Sequence, residues 1–190
     1  MTMFLPWRPV LLAGGPVPAI STSVTEAETA ELQRHVAQPD FQRILEVGSA
    51  FGYSAIAMAL ANSNVHVDAV DPHNQLGSHP IAGGSFEVMT GNLEAYGVAD
   101  RVTIMVEPSQ IALPKLELDS YDLAFIDADH VESAVHHDVE WALKLLRPGG
   151  WLCCHDLDEG TCPGVRAALD RLFDHPQPTV DTLFTYQLPA

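Results

Sequence analysis

Short apolar runs alternate with helical patterns along most of the chain. The predicted strands are "RILEVGS" (43–49), "VHVDAVD" (65–71), "RVTIMVE" (101–107), "YDLAFID" (121–127), "WLCCHDL" (151–157) and "VDTLFTYQL" (180–188). The predicted helices cover 25–37, 53–62, 86–98, 131–146 and 164–173, where apolar residues recur at three- and four-residue steps or helix caps are present. This alternation predicts the α/β class, a doubly wound, mostly parallel sheet with helices on both faces.

Prolines and glycines are scattered through residues 1–24, which predicts an irregular N-terminal arm. Residues 25–190 are then expected to form a single domain. Its first helix is marked by Thr25 and Glu28, which have the spacing of a capping box. The sequence contains no apolar run of signal-peptide or membrane-spanning length, so we expect a cytoplasmic protein.

The composition and charge of the chain exclude some classes of binding partner. The chain is 47% hydrophobic and 18% charged, as in a folded globular protein, and 25 acidic against 9 basic residues give a formal net charge of -16. This charge repels phosphate backbones and anionic membranes, so we expect neither nucleic acid nor a membrane as partner. The three cysteines lack the paired spacing of a zinc site and favour reduced, buried thiols.

Ligands of such sheets bind outside the carboxyl ends of the strands. After the first strand, Gly48 and Gly52 would let the backbone approach a ligand closely, although a tight turn without a ligand is the alternative. The dinucleotide pattern G-x-G-x-x-G is absent here, which disfavours an NAD-dependent oxidoreductase. Glu46 suits a ligand that carries an ammonium group.

Asp71 ends the second strand, about twenty residues beyond the glycines, where an acid can accept both hydroxyls of a ribose. A turn or helix-capping role is the alternative. Combined with Glu46 and the glycines, this position indicates an adenosine-containing ligand that has an amino-acid end and no phosphates. S-adenosylmethionine fits this description.

Acidic residues also end the fourth and fifth strands. A single helix separates Asp127 from Asp156, and a right-handed crossover of this length places its two strands side by side, about 4.8 Å apart. The two carboxylates could chelate one divalent cation, Mg²⁺ or Mn²⁺, with positions left for vicinal oxygens of a substrate. The alternative is a pair of solvated acids.

The ordered set "LEVGSAFGYSAIAMA", "VDAVD", "YDLAFIDADH", "LLRPGGWLCCHD" and "GVRAALDRLF" resembles class I S-adenosylmethionine-dependent methyltransferases. Among these, the chain is similar to the small O-methyltransferases with a divalent metal, of the caffeoyl-CoA/catechol and macrolide-sugar types. The resemblance covers about residues 25–175. It implies a Rossmann-like methyltransferase fold and S-adenosylmethionine as cofactor.

The resemblance also implies site residues. The cofactor-binding set is Glu46, Gly48, Gly52, Ser54, Asp71, Ser109 and Asp127. Within it, Ser54 stands where a hydroxyl meets the methionine carboxylate and Ser109 where relatives contact the adenine, although Glu107 replaces a glycine that is usual nearby. The metal set is Asp127, His155 and Asp156.

His155 departs from the aspartate pair or Asp-Asn pair that relatives have on the fifth strand. An imidazole shifts metal preference toward softer ions such as Mn²⁺, Fe²⁺ or Zn²⁺. Alternatively, His155 faces away from the metal and is structural.

His130 lies three residues after Asp127, where the macrolide-sugar type has a histidine as general base. Imidazole titrates near neutrality and could take the proton of a hydroxyl. The alternative is that His130 caps the following helix. We expect Asp129 to act mainly on the dipole of that helix.

The expected activity is transfer of a methyl group to a hydroxyl of a small molecule, a catechol, phenol or sugar-like diol. A methyltransferase that acts without metal through His130 and a non-catalytic S-adenosylmethionine-binding scaffold are the alternatives. Only one strand is predicted after the last helix, where relatives have two, so a second subunit could supply the missing wall in a homodimer. The loop from His73 to Ser85, which includes His79, is a candidate lid.

Overall fold

The computed structural model describes residues 24–73, 84–158 and 160–190, and the backbone at 11–12 and 15–16. The strands of the main sheet are β1 (Arg43–Val47), β2 (His66–Val70), β3 (Val102–Met105), β4 (Tyr121–Ile126), β5 (Leu146–Cys154) and β6 (Phe184–Gln187). The helices are α1 (Glu26–Val36), α2 (Tyr53–Ala61), α3 (Gly84–Ala95), α4 (Ser109–Ala112), α5 (Glu132–Leu145) and α6 (Pro163–Leu172). Short 3₁₀ turns cover Ala99–Arg101 and Leu113–Lys115.

The six strands form one sheet in the order β3-β2-β1-β4-β5-β6. Strands β1 to β5 are parallel, and β6 runs antiparallel to β5. The strand order reverses between β1 and β4, and a crevice for ligands opens at such a point, outside the carboxyl ends of the strands. The doubly wound, mostly parallel fold expected from the sequence is therefore confirmed.

Two apolar clusters lie on opposite faces of the sheet. Helices α1, α2 and α3 contribute Leu32, Met58 and Met89 to one cluster. Helices α5 and α6 contribute Val139 and Leu169 to the other. All six residues of β4, at the centre of the sheet, are buried, as expected for a strand that is covered on both faces.

The start of α1 has the predicted capping box. The Glu28 amide donates to the Thr25 hydroxyl (3.2 Å), and the Thr25 amide donates to the Glu28 carboxylate (2.8 Å). The Pro-Gly segment at 147–150 differs from the prediction, because β5 already begins at Leu146 and includes it. The register between β4 and β5 shifts there, so the proline and glycines sit in an irregularity of the ladder.

Parts of the prediction lie outside the described residues. Of the arm over 1–24, the structure describes Val24 and a two-residue antiparallel pairing, Leu11–Leu12 with Gly15–Pro16. His79 and the rest of 74–83 are likewise outside, so the lid remains a prediction. No helix among the described ranges is both long enough and apolar enough to cross a bilayer.

Candidate active site

The carboxyl ends of the parallel strands meet in one row. Beyond the last residue of β4, the Asp127 amide donates to the last carbonyl of β1 (2.8 Å). In the same way the His155 amide donates to the last carbonyl of β4 (3.0 Å), and the Gly48 amide to that of β2 (2.9 Å). The sheet register thus fixes the side chains predicted for the site as neighbours.

The turn after β1 needs glycine at both predicted positions. Gly48 has φ +94°, and a Cβ there would lie 2.0 Å from the Asp127 carbonyl oxygen. Gly52 precedes α2 with φ +83°, and a Cβ there would lie 2.9 Å from the Met89 side chain. The backbone conformation and the close packing therefore explain both glycines without a ligand. Their contact with a cofactor stays a prediction.

Asp71 ties this turn to the end of β2. Its Oδ2 accepts the Ala50 amide (2.9 Å), and its Oδ1 accepts the His73 amide (2.7 Å). Ala50 itself has φ +43°, in the left-handed region. Each carboxylate oxygen keeps acceptor capacity for a further partner, as the predicted ribose contact requires.

Glu46 is completely buried under the same turn. The Ser54 hydroxyl donates to its Oε1, and its Oε2 has no protein partner among the described residues. Burial raises the pKa of Glu46 to about 8. The side chain therefore carries a proton at neutral pH, and the Ser54 hydroxyl, predicted to meet a methionine carboxylate, is bonded to it.

Ser109 is the first residue of α4, a four-residue helix that the sequence did not reveal. Burial raises the pKa of Asp138 in α5, and the nearby Ser109 hydroxyl partly offsets this rise. The adenine contact predicted for Ser109 stays a prediction.

The predicted metal ligands lie together. Asp127, His155 and Asp156 offer ligand atoms that are all within 4.8 Å of one another. His155 Nδ1 is 3.1 Å from Asp127 Oδ1 and 3.2 Å from Asp156 Oδ2. His155 therefore faces the two acids and does not point away from them.

Glu28 also belongs to this cluster, although its sequence pattern indicates only a helix cap. Its Oε2 lies 3.0 Å from His155 Nε2, and its Oε1 accepts the amide (2.9 Å) and hydroxyl (2.8 Å) of Thr182. The side chain is fully buried. Glu28 thus joins α1 to the end of β5 and to the segment that leads into β6.

The charges of the cluster are strongly coupled. Burial would lower the pKa of His155, but hydrogen bonds to Asp127, Asp156 and Glu28 outweigh it and raise the pKa to about 12. For Glu28, burial would raise the pKa, and the bonds from His155 and the Thr25 amide lower it to about 2. Without another cation, the imidazole is the positive charge between three carboxylates.

These residues fit a divalent cation. Two carboxylates and one imidazole nitrogen are a common ligand set for transition metals. A histidine that binds a metal usually donates its other ring N–H to a carboxylate, and Glu28 is placed to receive that hydrogen from Nε2. His155 Nδ1 is then the nitrogen available to an ion between Asp127 and Asp156.

His130 borders the same cluster from the loop before α5. Its Nε2 lies 2.8 Å from Asp156 Oδ2, and its side chain is half exposed. The side chain is thus directed to Asp156, whereas Asp129 Oδ1 accepts the Val131 amide (2.8 Å) at the entrance of the helix. A Cβ on Gly164 would lie 2.1 Å from the His130 carbonyl oxygen, so α6 fixes the position of this loop.

Most of the chain between β1 and β5 matches a known protein family. Residues 45–157, from the middle of β1 to just beyond β5, match the family described as a methyltransferase domain. The chain belongs to the methyltransferase-domain family. The resemblance to class I S-adenosylmethionine-dependent methyltransferases is thereby confirmed, as is the expectation of an enzyme of this class.

Three relatives illustrate the match. A catechol O-methyltransferase of Mycobacterium tuberculosis is 27% identical over 185 residues, covering 85% of this chain and 80% of that protein. An O-methyltransferase of Aspergillus nomiae is 31% identical over 169 residues, covering 84% and 68%. The solved structure of cofactor-bound Rv0187 of M. tuberculosis superposes with a TM-score of 0.71 at 25% identity, covering 89% and 82%.

Proposed function

We propose that this methyltransferase moves the methyl group of S-adenosylmethionine to a hydroxyl of a small molecule, a catechol, phenol or sugar-like diol, with the help of a divalent metal. The observation that carries the proposal is the meeting of Asp127, His155 and Asp156 beside the glycine turn of β1. The likeness to a catechol O-methyltransferase supports the choice of acceptor.

The cofactor would lie across the ends of β1 and β2. Asp71 would bind the ribose hydroxyls, and Glu46 would lie beneath the amino-acid end of the ligand. The remaining proposed contacts are Gly48, Gly52, Ser54, Ser109 and Asp127. The unpartnered Oε2 of Glu46 supports this assignment, because a buried polar atom without a partner among the described residues is costly unless a ligand satisfies it.

In the proposed reaction, a lone pair of the acceptor oxygen forms the new O–C bond while the S–C bond breaks. The electron pair of that bond stays on sulfur and yields S-adenosylhomocysteine. The hydroxyl proton passes to His130 Nδ1, because Nε2 is directed to Asp156. A cation held by Asp127, His155 and Asp156 would supply positive charge that favours the ionised hydroxyl.

The test is a methyl-transfer assay from labelled S-adenosylmethionine to catechol and to a panel of small diols. We expect His130→Ala to lower kcat about 10²- to 10⁴-fold, the usual contribution of a general base. Asp156→Ala should lower it at least as much, because it removes a metal ligand and the partner of His130. Asp174→Ala, at a fully exposed carboxylate after α6, is the matched control.

Each alternative has its own result in this assay. If chelation and Asp156→Ala both leave the rate intact while His130→Ala abolishes it, the enzyme acts without metal. If calorimetry shows cofactor binding but no acceptor is methylated, the scaffold hypothesis is favoured. The homodimer and the cytoplasmic location remain predictions that rest on the sequence.

A further inference from the structure

The ring of His155 is held from both sides. Its Nε2 faces Glu28 (3.0 Å), while its Nδ1 faces Asp127 (3.1 Å) and Asp156 (3.2 Å). A ring with an acceptor at each nitrogen cannot turn over without losing contacts at both ends. The orientation of Nδ1 toward the two aspartates is therefore fixed by Glu28.

Glu28 is itself immobilised. Its carboxylate is fully buried and faces four donors, the Thr25 amide, the Thr182 amide and hydroxyl, and the His155 ring. The threonine donors come from the start of α1 and from the segment before β6, and the His155 ring follows the end of β5. Such a carboxylate is better placed to orient a histidine than a solvent-exposed one, which would have to give up its freedom of rotation.

The donor set differs from an all-oxygen site. Mg²⁺ is bound by carboxylates, carbonyls and water, whereas imidazole suits first-row transition ions such as Fe²⁺ and Zn²⁺. Mn²⁺ is the transition ion of this row that also accepts carboxylates, so it matches a mixed set of two carboxylates and one imidazole. Three carboxylates surround a single imidazole here, in a chain with a formal net charge of -16, so the cluster also favours a cation on charge alone.

Resting on the proposed metal-assisted function, we infer that Glu28 is a positioning residue that presents His155 Nδ1 to the metal, and that the site binds a first-row transition cation such as Mn²⁺ in preference to Mg²⁺. The sequence pattern supplies His155, but the assignment of Glu28 comes from the geometry alone.

The test measures metal binding to the full chain after removal of bound metal, without cofactor or acceptor. Isothermal titration with MnCl₂ and MgCl₂ should show Mn²⁺ bound at least tenfold more tightly than Mg²⁺. Glu28→Gln should weaken Mn²⁺ binding by about 10- to 100-fold, the usual loss when such a partner is removed. Glu26→Gln, on the exposed side of the same helix, should bind as the original chain does.

A second readout does not depend on the folding of the Glu28 variant. Pulsed electron paramagnetic resonance of the Mn²⁺-loaded original chain should show coupling to a directly bound nitrogen, and His155→Asp should abolish it together with the preference for Mn²⁺. Equal affinity for Mg²⁺ and Mn²⁺, or no nitrogen coupling, would overturn the inference. A folded Glu28→Gln variant with unchanged Mn²⁺ affinity would overturn the role of Glu28.

These outcomes separate this inference from the proposed function. Methyl transfer by a chain that prefers Mg²⁺ would refute the inference and leave the function standing. If Mn²⁺ is bound through nitrogen but the chain methylates no hydroxyl, the proposed function is refuted and the inference on metal binding stands.

Discussion

At the residue scale, Glu46 combines complete burial with one side-chain hydrogen bond among the described residues, from the Ser54 hydroxyl. Its ordinary pKa of 4.5 rises to about 8, because the charged form is poorly solvated in the interior. Between these two values the folded chain holds a proton that the unfolded chain has released. The contribution of Glu46 to the free energy of unfolding therefore falls as pH rises from 4.5 to 8, and it is lowest above that range.

Glu46→Gln should remove this pH dependence, because glutamine stays neutral while its carbonyl can still accept the Ser54 hydroxyl. The free energy of unfolding of the variant minus that of the original chain should increase by at least about 1 kcal/mol from pH 5 to pH 8.5, since one pKa unit corresponds to about 1.4 kcal/mol. Urea unfolding at the two pH values measures the gain. Glu94→Gln, at an exposed acid, should show none, and an equal gain for both variants would contradict the assignment.

The individual residues of the site were predictable to different degrees. Asp127 and Asp156 could be placed together because each ends a strand and one crossover helix separates them. The contact between Glu28 and His155 spans 127 residues of sequence and joins a helix to a strand end, so no local pattern indicates it. Glu28 also completes the capping box of α1, so its presence in the sequence is explained without any role in the site.

At the scale of the elements, Asp122 joins three strands at the end of the sheet opposite to the site. Its Oδ2 accepts the amides of Gln42 (2.6 Å) and Arg43 (2.7 Å) at the start of β1, and its Oδ1 accepts the Arg147 guanidinium near the start of β5. The carboxylate is 8% exposed, so these bonds are largely shielded from water. It fixes the relative positions of β1, β4 and β5, whose far ends hold the cluster.

Asp122→Ala should therefore lower the free energy of unfolding by about 3 kcal/mol, because it removes the side-chain acceptor of two amides and the buried partner of the Arg147 guanidinium. The matched control is Asp40→Ala, which removes the exposed second partner of the same arginine (3.3 Å) and should cost less than about 1 kcal/mol. Denaturant unfolding checks both values. Similar losses for the two variants would show that burial is not what gives the Asp122 bonds their strength.

The alternation of apolar strands and amphipathic helices made the sheet and its larger helices predictable. Short or irregular elements were not predictable. Helix α4 has four residues, too few for a helical periodicity to be recognised. Pro148 and Gly149 indicated the end of a helix, whereas in the structure they belong to an irregular part of β5. That segment is tolerated because the ladder with β4 shifts its register there. Local turn signals are overridden when a neighbouring strand supplies the pairing.

At the scale of the whole molecule, the formal net charge of -16 arises from 25 acidic and 9 basic residues. Few of the acids can therefore find a basic partner, and repulsion among the others opposes the compact state. Ion pairs such as Arg171–Glu132 and Arg34–Glu31 involve exposed arginines, and such pairs stabilise by about 1 kcal/mol at most. Screening should weaken the repulsion more than it weakens the pairs.

Raising NaCl from about 10 mM to about 300 mM should thus increase Tm, by a few degrees, as the Debye length falls from about 30 Å to well under 10 Å. The experiment uses the metal-free protein at pH 7, so that binding of a divalent cation at the Asp127 cluster does not contribute to Tm. Sucrose of equal osmolality is the control for stabilisation by a solute that is excluded from the protein surface. Most of the increase should occur below about 100 mM, where the screening length changes most in ångströms. A Tm that falls with salt would mean that the few ion pairs, and not the excess of acids, dominate the electrostatic part of stability.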